Sequence, residues 1–405
     1  ELVEEAQDTK AKAEKCIDRF AQYYTPAVLV LAALVFVFSR DFRLAITVLV
    51  LGCPGALVIG APVSNVAGIG NGAKRGILIK GGEVVDTFAK VDTLVFDKTG
   101  TLTEGNTAVS SFKAYTNNQD QLLNLAATVE GVSDHPLGKA IIDYAGSHAK
   151  ASTDLNLDNT ETVKGQGICA EVNHSQVVIG NQKMLTAHDI SLTADQAHDL
   201  NEMQQAGKST VIMAIDGVVQ MIFGISDTVR PNVKESLAAL KAQGIKRLVM
   251  LTGDNELTAD AVARELNIDE VHANLLPEEK VDYVKQLKAE GNTVAFIGDG
   301  INDSPSIANA DIGIAMGSGT DVAIDTSDVV LMQSSFPALV HAHGLAKKTV
   351  LNTRENIIIA IATVAFLLIG LIFGYIYMAS GMFVHEASIL VVIFNAMRLI
   401  NFRTK

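Results

Sequence analysis

Cysteine is scarce and scattered. Only Cys16, Cys53 and Cys169 occur in the 405 residues, far apart and in different surroundings, which excludes a disulfide framework and fits a reducing cytosol. Charge is thin as well. Asp, Glu, Lys and Arg together make 19% of the chain, and 32 basic residues against 45 acidic ones leave a formal net charge of −13. A chain of that balance offers no basic face to a polyanion, so nucleic acid is excluded as a partner. There is no low-complexity segment and no internal repeat. The first residue is Glu1, and the stretch from Glu1 to Lys15 is charged and helix-favouring with no apolar signal-peptide core, so the start reads as a cut edge.

Apolar residues are abundant instead, at 48% with a mean hydropathy of +0.27, and they are concentrated in blocks. Four blocks, about 20–38, 44–64, 356–378 and 382–399, each approach the ~20 helical residues needed to cross a hydrocarbon core of ~30 Å. They pair into two hairpins, one turning at Ser39 to Arg43 and the other around Ser380-Gly381, which puts everything between the hairpins on one side of the bilayer. Lys74, Arg75, Lys80, Lys347, Lys348 and Arg398 flank that side, against Arg40 and Arg43 on the other, so the positive-inside bias makes it cytosolic. We therefore expect a multi-pass membrane protein, in the plasma membrane, with its large soluble part in the cytosol.

That soluble part alternates strand and helix patterns. Val91 to Phe96 reads as a buried strand ending at Asp97, Arg247 to Leu251 as one ending at Thr252, and Thr293 to Ile297 as one ending at Gly298. Helical spacing over Arg230 to Gln243, Glu256 to Leu266 and Pro277 to Ala289 completes βαβ units, the logic of a doubly wound parallel sheet. Between about Glu104 and Met221 the pattern changes to short strands (Thr162 to Val172, Gln176 to Ile179, Ser209 to Ile215, Val218 to Phe223) and two helices, as expected of an inserted α+β unit.

Ligands of such sheets bind outside the carboxyl ends of the strands, so Asp97-Lys98-Thr99-Gly100-Thr101, Thr252-Gly253-Asp254 and Gly298-Asp299-Gly300-Ile301-Asn302-Asp303 should converge on one spot. The residue types suit a phosphoryl group and a hard cation. Asp97 is the candidate nucleophile, since a carboxylate can form an acyl phosphate. Asp97, Asp299 and the Thr99 carbonyl offer oxygens suited to Mg2+. Thr252 and the Gly253 amide can hold phosphoryl oxygens, and Lys280 can neutralise developing charge.

Asp97 to Thr103 (Asp-Lys-Thr-Gly-Thr-Leu-Thr), followed downstream by Thr252-Gly253-Asp254 and by Gly298 to Pro305, resembles the P-type ATPases over almost the whole chain. The resemblance implies a haloacid dehalogenase-like phosphorylation domain, ATP and Mg2+ as cofactors, and catalytic roles for Asp97, Lys98, Thr99, Thr101, Thr252, Gly253, Asp254, Lys280, Asn302 and Asp303. It divides the chain into a first helix pair with cytosolic extensions (1–85), a phosphorylation domain in two parts (86–104 and 223–340), an inserted nucleotide-binding domain (105–222) and a second helix pair (341–405). Ser133 to Leu137 looks like the His-Pro element of the heavy-metal subclass, which implies that Glu130 and His135 lie beside the ATP purine. Gly165-Gln166-Gly167 and Gly180-Asn181 match two further nucleotide-contacting turns, although by themselves they also read as hairpin turns. Ala206-Gly207-Lys208-Ser209-Thr210 mimics the end of a P-loop, but Glu202 stands where the earlier glycine belongs, so it is rejected as one.

Within the second block, Gly52-Cys53-Pro54-Gly55 interrupts the helix, because Pro54 has no amide hydrogen for the Val50 carbonyl. Cys53 there, with His385 and Glu386 in the last block, offers sulfur, nitrogen and oxygen to a transported ion; the alternatives are a kink with a buried thiol, and His385-Glu386 at the membrane interface. The mixed donors favour divalent Zn, Cd or Co over Cu(I), which prefers sulfur. His385-Glu386 resembles the cobalt-type branch, but that branch has Ser-Pro-Cys in the other span and Gly where Ala387 stands. The copper signatures of the last two spans are absent, and so is the lysine of the zinc-cadmium branch, which leaves the metal open. Residues 2–7 look like the segment after the family's actuator domain, and no Thr-Gly-Glu loop precedes them. We therefore expect that domain and the earlier transmembrane helices to be missing. Rival readings are a Cu(I) pump, a membrane-anchored haloacid dehalogenase-type phosphatase, a potassium-type subunit and a non-catalytic scaffold. Phosphatases of that type carry a second aspartate where Thr99 stands here, which favours a long-lived phosphoenzyme.

Overall fold

A computed structural model of the chain describes residues 12–133, 135–149, 157–163, 165–299, 303–317 and 319–404. The first apolar block forms α1 (Lys12–Ser39). A turn at Arg40 and Asp41 leads into α2 (Phe42–Leu51), whose amino end is capped by the Asp41 carboxylate, and the chain then breaks and restarts as α3 (Gly55–Lys74). Next come β1 (Ile77–Ile79), α4 (Gly82–Phe88) and β2 (Thr93–Asp97).

The insertion follows as β3 (Thr103–Ala114), α5 (Gln119–Glu130), α6 (Pro136–His148), β4 (Leu157–Val163), β5 (Gly167–Val172), β6 (Ser175–Gly180), α7 (Gln182–Ala187), α8 (Ala194–Gln205), β7 (Ser209–Ile215) and β8 (Val218–Val229). The chain then returns through α9 (Val233–Ala242), β9 (Arg247–Leu251), α10 (Glu256–Leu266), β10 (Glu270–His272), α11 (Pro277–Ala289), β11 (Val294–Gly298), α12 (Ser304–Asn309), β12 (Ile312–Met316), α13 (Asp321–Thr326) and β13 (Val329–Leu331). It ends in α14 (Phe336–Ile372), α15 (Met378–Met397) and a short turn, Arg398–Asn401.

The strands form two sheets. The first has the order β1-β13-β12-β11-β2-β9-β10, parallel except where β1 meets β13. Its central strands carry apolar residues on both sides because both faces are covered: Leu94 and Phe96 point into one core with α9, α10 and the start of α14, and Val95 into another with α11 and α12. The second sheet, β3-β8-β7-β6-β5-β4, is antiparallel. One of its faces packs on α5 and α6, the other on α7 and α8. The insertion thus carries four helices where the sequence suggested two, and the stretch from Thr162 to Val172 is a hairpin rather than one strand.

Four helical spans, Arg19–Ser39, Phe42–Lys74, Phe336–Ile372 and Met378–Asn401, are long and apolar enough to cross a membrane. Two boundaries differ from the expectation. α14 starts at Phe336, since its first turns pack under the parallel sheet through Phe336, Leu339 and Ala342. The second hairpin turns before Met378, not at Ser380-Gly381, because the Ser380 hydroxyl accepts from the Tyr377 amide at 3.1 Å and so caps α15. α3 approaches α14 closely: a Cβ on Gly68 would lie 2.4 Å from Thr349 Oγ1. Beside that contact runs a buried amide network, in which Asn356 Nδ2 donates to the Gly60 carbonyl (3.2 Å) and Ser64 Oγ (3.0 Å), and Asn395 Nδ2 donates to Asn356 Oδ1 (2.9 Å).

Candidate functional site

β2, β9 and β11 are neighbours, and Asp97 aligns with Leu251, so the ends of these three strands open on one edge of the sheet. Lys280, in the first turn of α11, sends its ammonium onto that edge, donating to Asp97 Oδ1 at 2.6 Å and to Asp303 Oδ1 at 3.1 Å. Both carboxylates and the ammonium are buried. Burial alone would lower the Lys280 pKa, but Asp97 and Asp303 outweigh it and hold it above the usual lysine range. Burial first, and then the charge of Asp97, push Asp303 up and lift Asp299 to about 6.

One oxygen each from Asp97, Asp299 and Asp303 lie within 4.8 Å of one another. Asp299 comes so near because residue 100 is glycine: at its φ of +75° a Cβ would sit 1.7 Å from Asp299 Oδ2. Three converging carboxylates, two of them held towards the protonated form by burial and mutual charge, fit a hard divalent cation that would neutralise them. The set the sequence suggested was Asp97, the Thr99 carbonyl and Asp299; the gathered carboxylates add Asp303.

The Thr252 turn is pinned from beneath, with the Thr252 amide donating to the His272 carbonyl at 3.0 Å and the Asp254 amide to Thr252 Oγ1 at 3.2 Å. Lys98 is ion-paired with Asp254. The buried Thr101 hydroxyl has no partner among the described residues. Asn302 lies outside the described residues.

Sequence reasoning missed two residues that brace this loop. Arg230 donates to the carbonyls of Gly100 (2.5 Å) and Thr101 (3.0 Å), and Asp227 is hydrogen-bonded to Thr103. Arg230 read as the start of a helix, but α9 begins at Val233, after Pro231 and a left-handed Asn232. An arginine immediately before proline, where the chain re-enters the first sheet, was the available signal.

In the insertion, the Glu130 carboxylate lies against Gly138, in the first turn of α6; a Cβ there would meet its Oε2 at 2.3 Å. Burial pushes Glu130 up to about 7. His135 caps that same helix, its Nδ1 accepting from the Leu137 amide at 3.2 Å. Gly167 and Gly180 face each other in register, and a Cβ on Gly180 would lie 2.4 Å from the Gln166 carbonyl. Asn181 closes the turn by donating to the Gly165 carbonyl at 3.0 Å while its Oδ1 caps α7. These four residues are therefore gathered at one end of β5 and β6, where strand packing alone already demands the two glycines.

In the membrane, α2 ends at Leu51 and the helix restarts after Pro54. The Val50 carbonyl is not left free, since the Cys53 amide donates to it at 3.3 Å. Cys53 is exposed. His385 is buried with its ring against Gly55: a Cβ on Gly55 would lie 3.5 Å from Nε2, and Nδ1 has no partner among the described residues. Glu386 is exposed, and the donor atoms of Cys53, His385 and Glu386 do not gather within 4.8 Å. Consecutive helical residues point ~100° apart, so His385 and Glu386 cannot share one direction.

Residues 91–311 match the haloacid dehalogenase-like hydrolase family, and residues 281–342 match a second family of the same description. A copper-exporting P-type ATPase of Staphylococcus haemolyticus (strain JCSC1435) is 39% identical over 366 residues, 88% of this chain and 45% of that protein. A probable cadmium-transporting ATPase of Staphylococcus aureus (strain MRSA252) is 36% identical over 419 residues, 100% of this chain and 57% of that protein. The chain thus spans about half the length of the curated relatives it matches. Among solved structures, a zinc-transporting PIB-type ATPase in the E2.Pi state superposes with a TM-score of 0.73 at 36% identity, covering 99% of this chain and 66% of that one. A catalytic CPx-ATPase domain, CopB-B, is 32% identical with a TM-score of 0.52, covering 68% of this chain and 96% of that domain.

Proposed function

Because the chain belongs to the haloacid dehalogenase-like hydrolases and, within them, to the heavy-metal P-type ATPases, we propose that it works in ATP-driven export of a heavy-metal cation across the plasma membrane. The observation that carries the reading is the Asp97 carboxylate at the end of β2, held by Lys280 and facing Asp299 and Asp303. An Asp97 oxygen attacks the γ-phosphorus of ATP, the bond to the β-phosphate oxygen breaks, and ADP leaves while the phosphoryl group stays on Asp97. Lys280 counters the charge that develops. Thr252, the Gly253 amide and the Thr101 hydroxyl, which has no partner among the described residues, would hold phosphoryl oxygens.

Mg2+, held by Asp97, Asp299 and Asp303 with the Thr99 carbonyl, would supply charge neutralisation at the transferring group. Asn302 and Asp303 complete the loop after β11. Glu130, His135, Gly165, Gly167, Gly180 and Asn181 line the nucleotide site, with the catalytic domains on the cytosolic side. The insertion's limits are put near residues 105 and 222, within β3 and β8, the two long strands through which it leaves and rejoins the parallel-sheet unit.

The transported ion is taken up from the cytosol at the helix break, where Cys53 stands and against which the His385 ring packs at Gly55, while Glu386, on another side of the last helix, serves the ion only if that helix turns. Sulfur and imidazole nitrogen favour a divalent ion of the zinc, cadmium or cobalt kind over Cu(I). Phosphoenzyme formation from labelled ATP across a panel of metals tests the whole reading. Label that is stimulated by divalent heavy metals, and lost in Asp97→Asn and Cys53→Ala, is the expected result. Label driven by Cu(I) alone would favour the copper alternative, and label that is hydrolysed as fast as it forms would favour the phosphatase.

A further inference from the structure

Ser209 opens β7 of the antiparallel sheet, yet its hydroxyl is built into the other sheet's site. Its Oγ donates to Asp254 Oδ1 at 3.1 Å and accepts from Lys98 Nζ at 3.3 Å. Lys98 in turn is ion-paired with Asp254, which closes a triangle. One corner comes from the residue after Asp97, one from the turn after β9 and one from the inserted unit. Lys98 is 4% exposed and Ser209 8%, so the triangle is largely shielded from water, and a buried ammonium depends on each partner it keeps.

The neighbouring residues show that this is a docked surface rather than one stray contact. The Lys208 carbonyl accepts from Thr258 Oγ1, in α10, at 2.8 Å, while Lys208 Nζ donates to Ser111 Oγ, in β3, at 3.0 Å. Beside it, a Cβ on Gly207 would touch Ala261 of α10 at 3.6 Å, and one on Gly165 would press on Leu276, just ahead of the helix that carries Lys280, at 3.0 Å. The segment that only imitates a P-loop in sequence is therefore the piece of the insertion seated on the carboxyl edge of the parallel sheet.

We propose that Ser209 is a positioning residue for phosphoryl transfer: by holding Lys98 and Asp254 together it makes the arrangement around Asp97 depend on the nucleotide-carrying unit being docked. The inference rests on the function proposed above. Docking brings a hydroxyl to the Lys98–Asp254 ion pair, where it touches both members. Without that hydroxyl Asp254 loses a donor and Lys98 an acceptor, so the residue that follows the nucleophile in the chain keeps one side-chain anchor for its ammonium instead of two.

The test compares Ser209→Ala and Ser209→Thr in the intact chain, reading the rate of phosphoenzyme formation at saturating labelled ATP, the ATP Kd and the melting temperature. We expect Ser209→Ala to slow phosphorylation about tenfold with Kd within about twofold of the unsubstituted chain, and Ser209→Thr to restore the rate. An unchanged rate in Ser209→Ala, a loss confined to Kd, or a loss that threonine does not rescue would overturn the proposal. If the unsubstituted chain takes no label at Asp97, the function itself has failed. Docking is read separately by the spin-label distance between α8 and α13 with an ATP analogue bound: a longer distance in Ser209→Ala upholds the part of the proposal that has Ser209 holding the two units together, and an unchanged one overturns the proposal whether or not label is taken.

Discussion

The Lys280 ammonium bridges Asp97 and Asp303, 2.6 Å from one carboxylate and 3.1 Å from the other, although the three side chains come from strand, helix and loop far apart in sequence. A charge so placed has two tasks: it keeps like charges from repelling at rest, and it meets the extra negative charge of the phosphoryl group in transfer. Replacing Lys280 with methionine should therefore cut phosphoenzyme formation by about 10²- to 10³-fold, the range for removing one preorganised electrostatic partner. ATP binding in the inserted unit should change little. Quench-flow labelling beside an ATP titration checks both parts, and equal losses in the two would count against the assignment.

Glu130 supplies a pH dependence with a definite sign. Its pKa is raised by burial from 4.5 to about 7, so the folded chain binds this proton more tightly than the unfolded chain does. The associated stability is fully present below about 4.5 and is lost as pH rises through about 7, a difference of a few kcal/mol at most. Thermal unfolding of the inserted unit followed from pH 5 to pH 8 should show a decline that Glu130→Gln flattens. A parallel decline in the variant would show that another group is responsible.

Close helix packing gives a third expectation. A Cβ at position 68 would meet Thr349 Oγ1 at 2.4 Å, so Gly68→Ala forces either Thr349 or the helices apart. Overpacking of this kind costs roughly 1 to 3 kcal/mol. Trimming the obstacle in Gly68→Ala/Thr349→Ala should recover much of it, and a double-mutant cycle in detergent measures the coupling. Purely additive effects would mean that α3 and α14 do not meet there.

What the sequence disclosed follows from how each signal arises. β2, β9 and β11 have apolar middles because both their faces are covered, and each runs into a polar turn, so strand and site were readable together, while the order of the strands was not. The break at Pro54 was readable because proline removes a donor wherever it stands. Ser209 left no trace, since a serine at a strand end has the same local signature whether it faces water or another unit's ion pair. Asn356 and its amide partners were hidden in the same way, inside a helix defined by its apolar neighbours. The Ser380-Gly381 pair misled because turn residues also begin helices: Ser380 caps α15, and a Cβ on Gly381 would lie 2.6 Å from Leu51 Cδ2. The first turns of α14 were missed because they pack under a sheet rather than in lipid, which dilutes their apolar pattern.

The membrane site separates two neighbours that the sequence treats alike. His385 is buried against Gly55, just beyond Cys53, and carries a ring nitrogen without a partner among the described residues, whereas Glu386 is exposed on another side of the same helix. A buried ring nitrogen with no hydrogen-bond partner among the described residues is costly unless something occupies the position in the working cycle, and a metal ion is what imidazole nitrogen and cysteine sulfur both bind. We therefore expect His385→Ala, like Cys53→Ala, to abolish metal-stimulated phosphoenzyme formation, since the proposed cycle has the ion in place before phosphorylation. Glu386→Gln should retain stimulation, with the half-saturating metal concentration shifted by less than about tenfold. Metal titrations of phosphoenzyme level in the three variants, each paired with an ATP binding measurement to show that the soluble units are intact, decide the matter. Full loss in Glu386→Gln with stimulation retained in His385→Ala would reverse the two roles and mean that the last helix turns its other side to the ion.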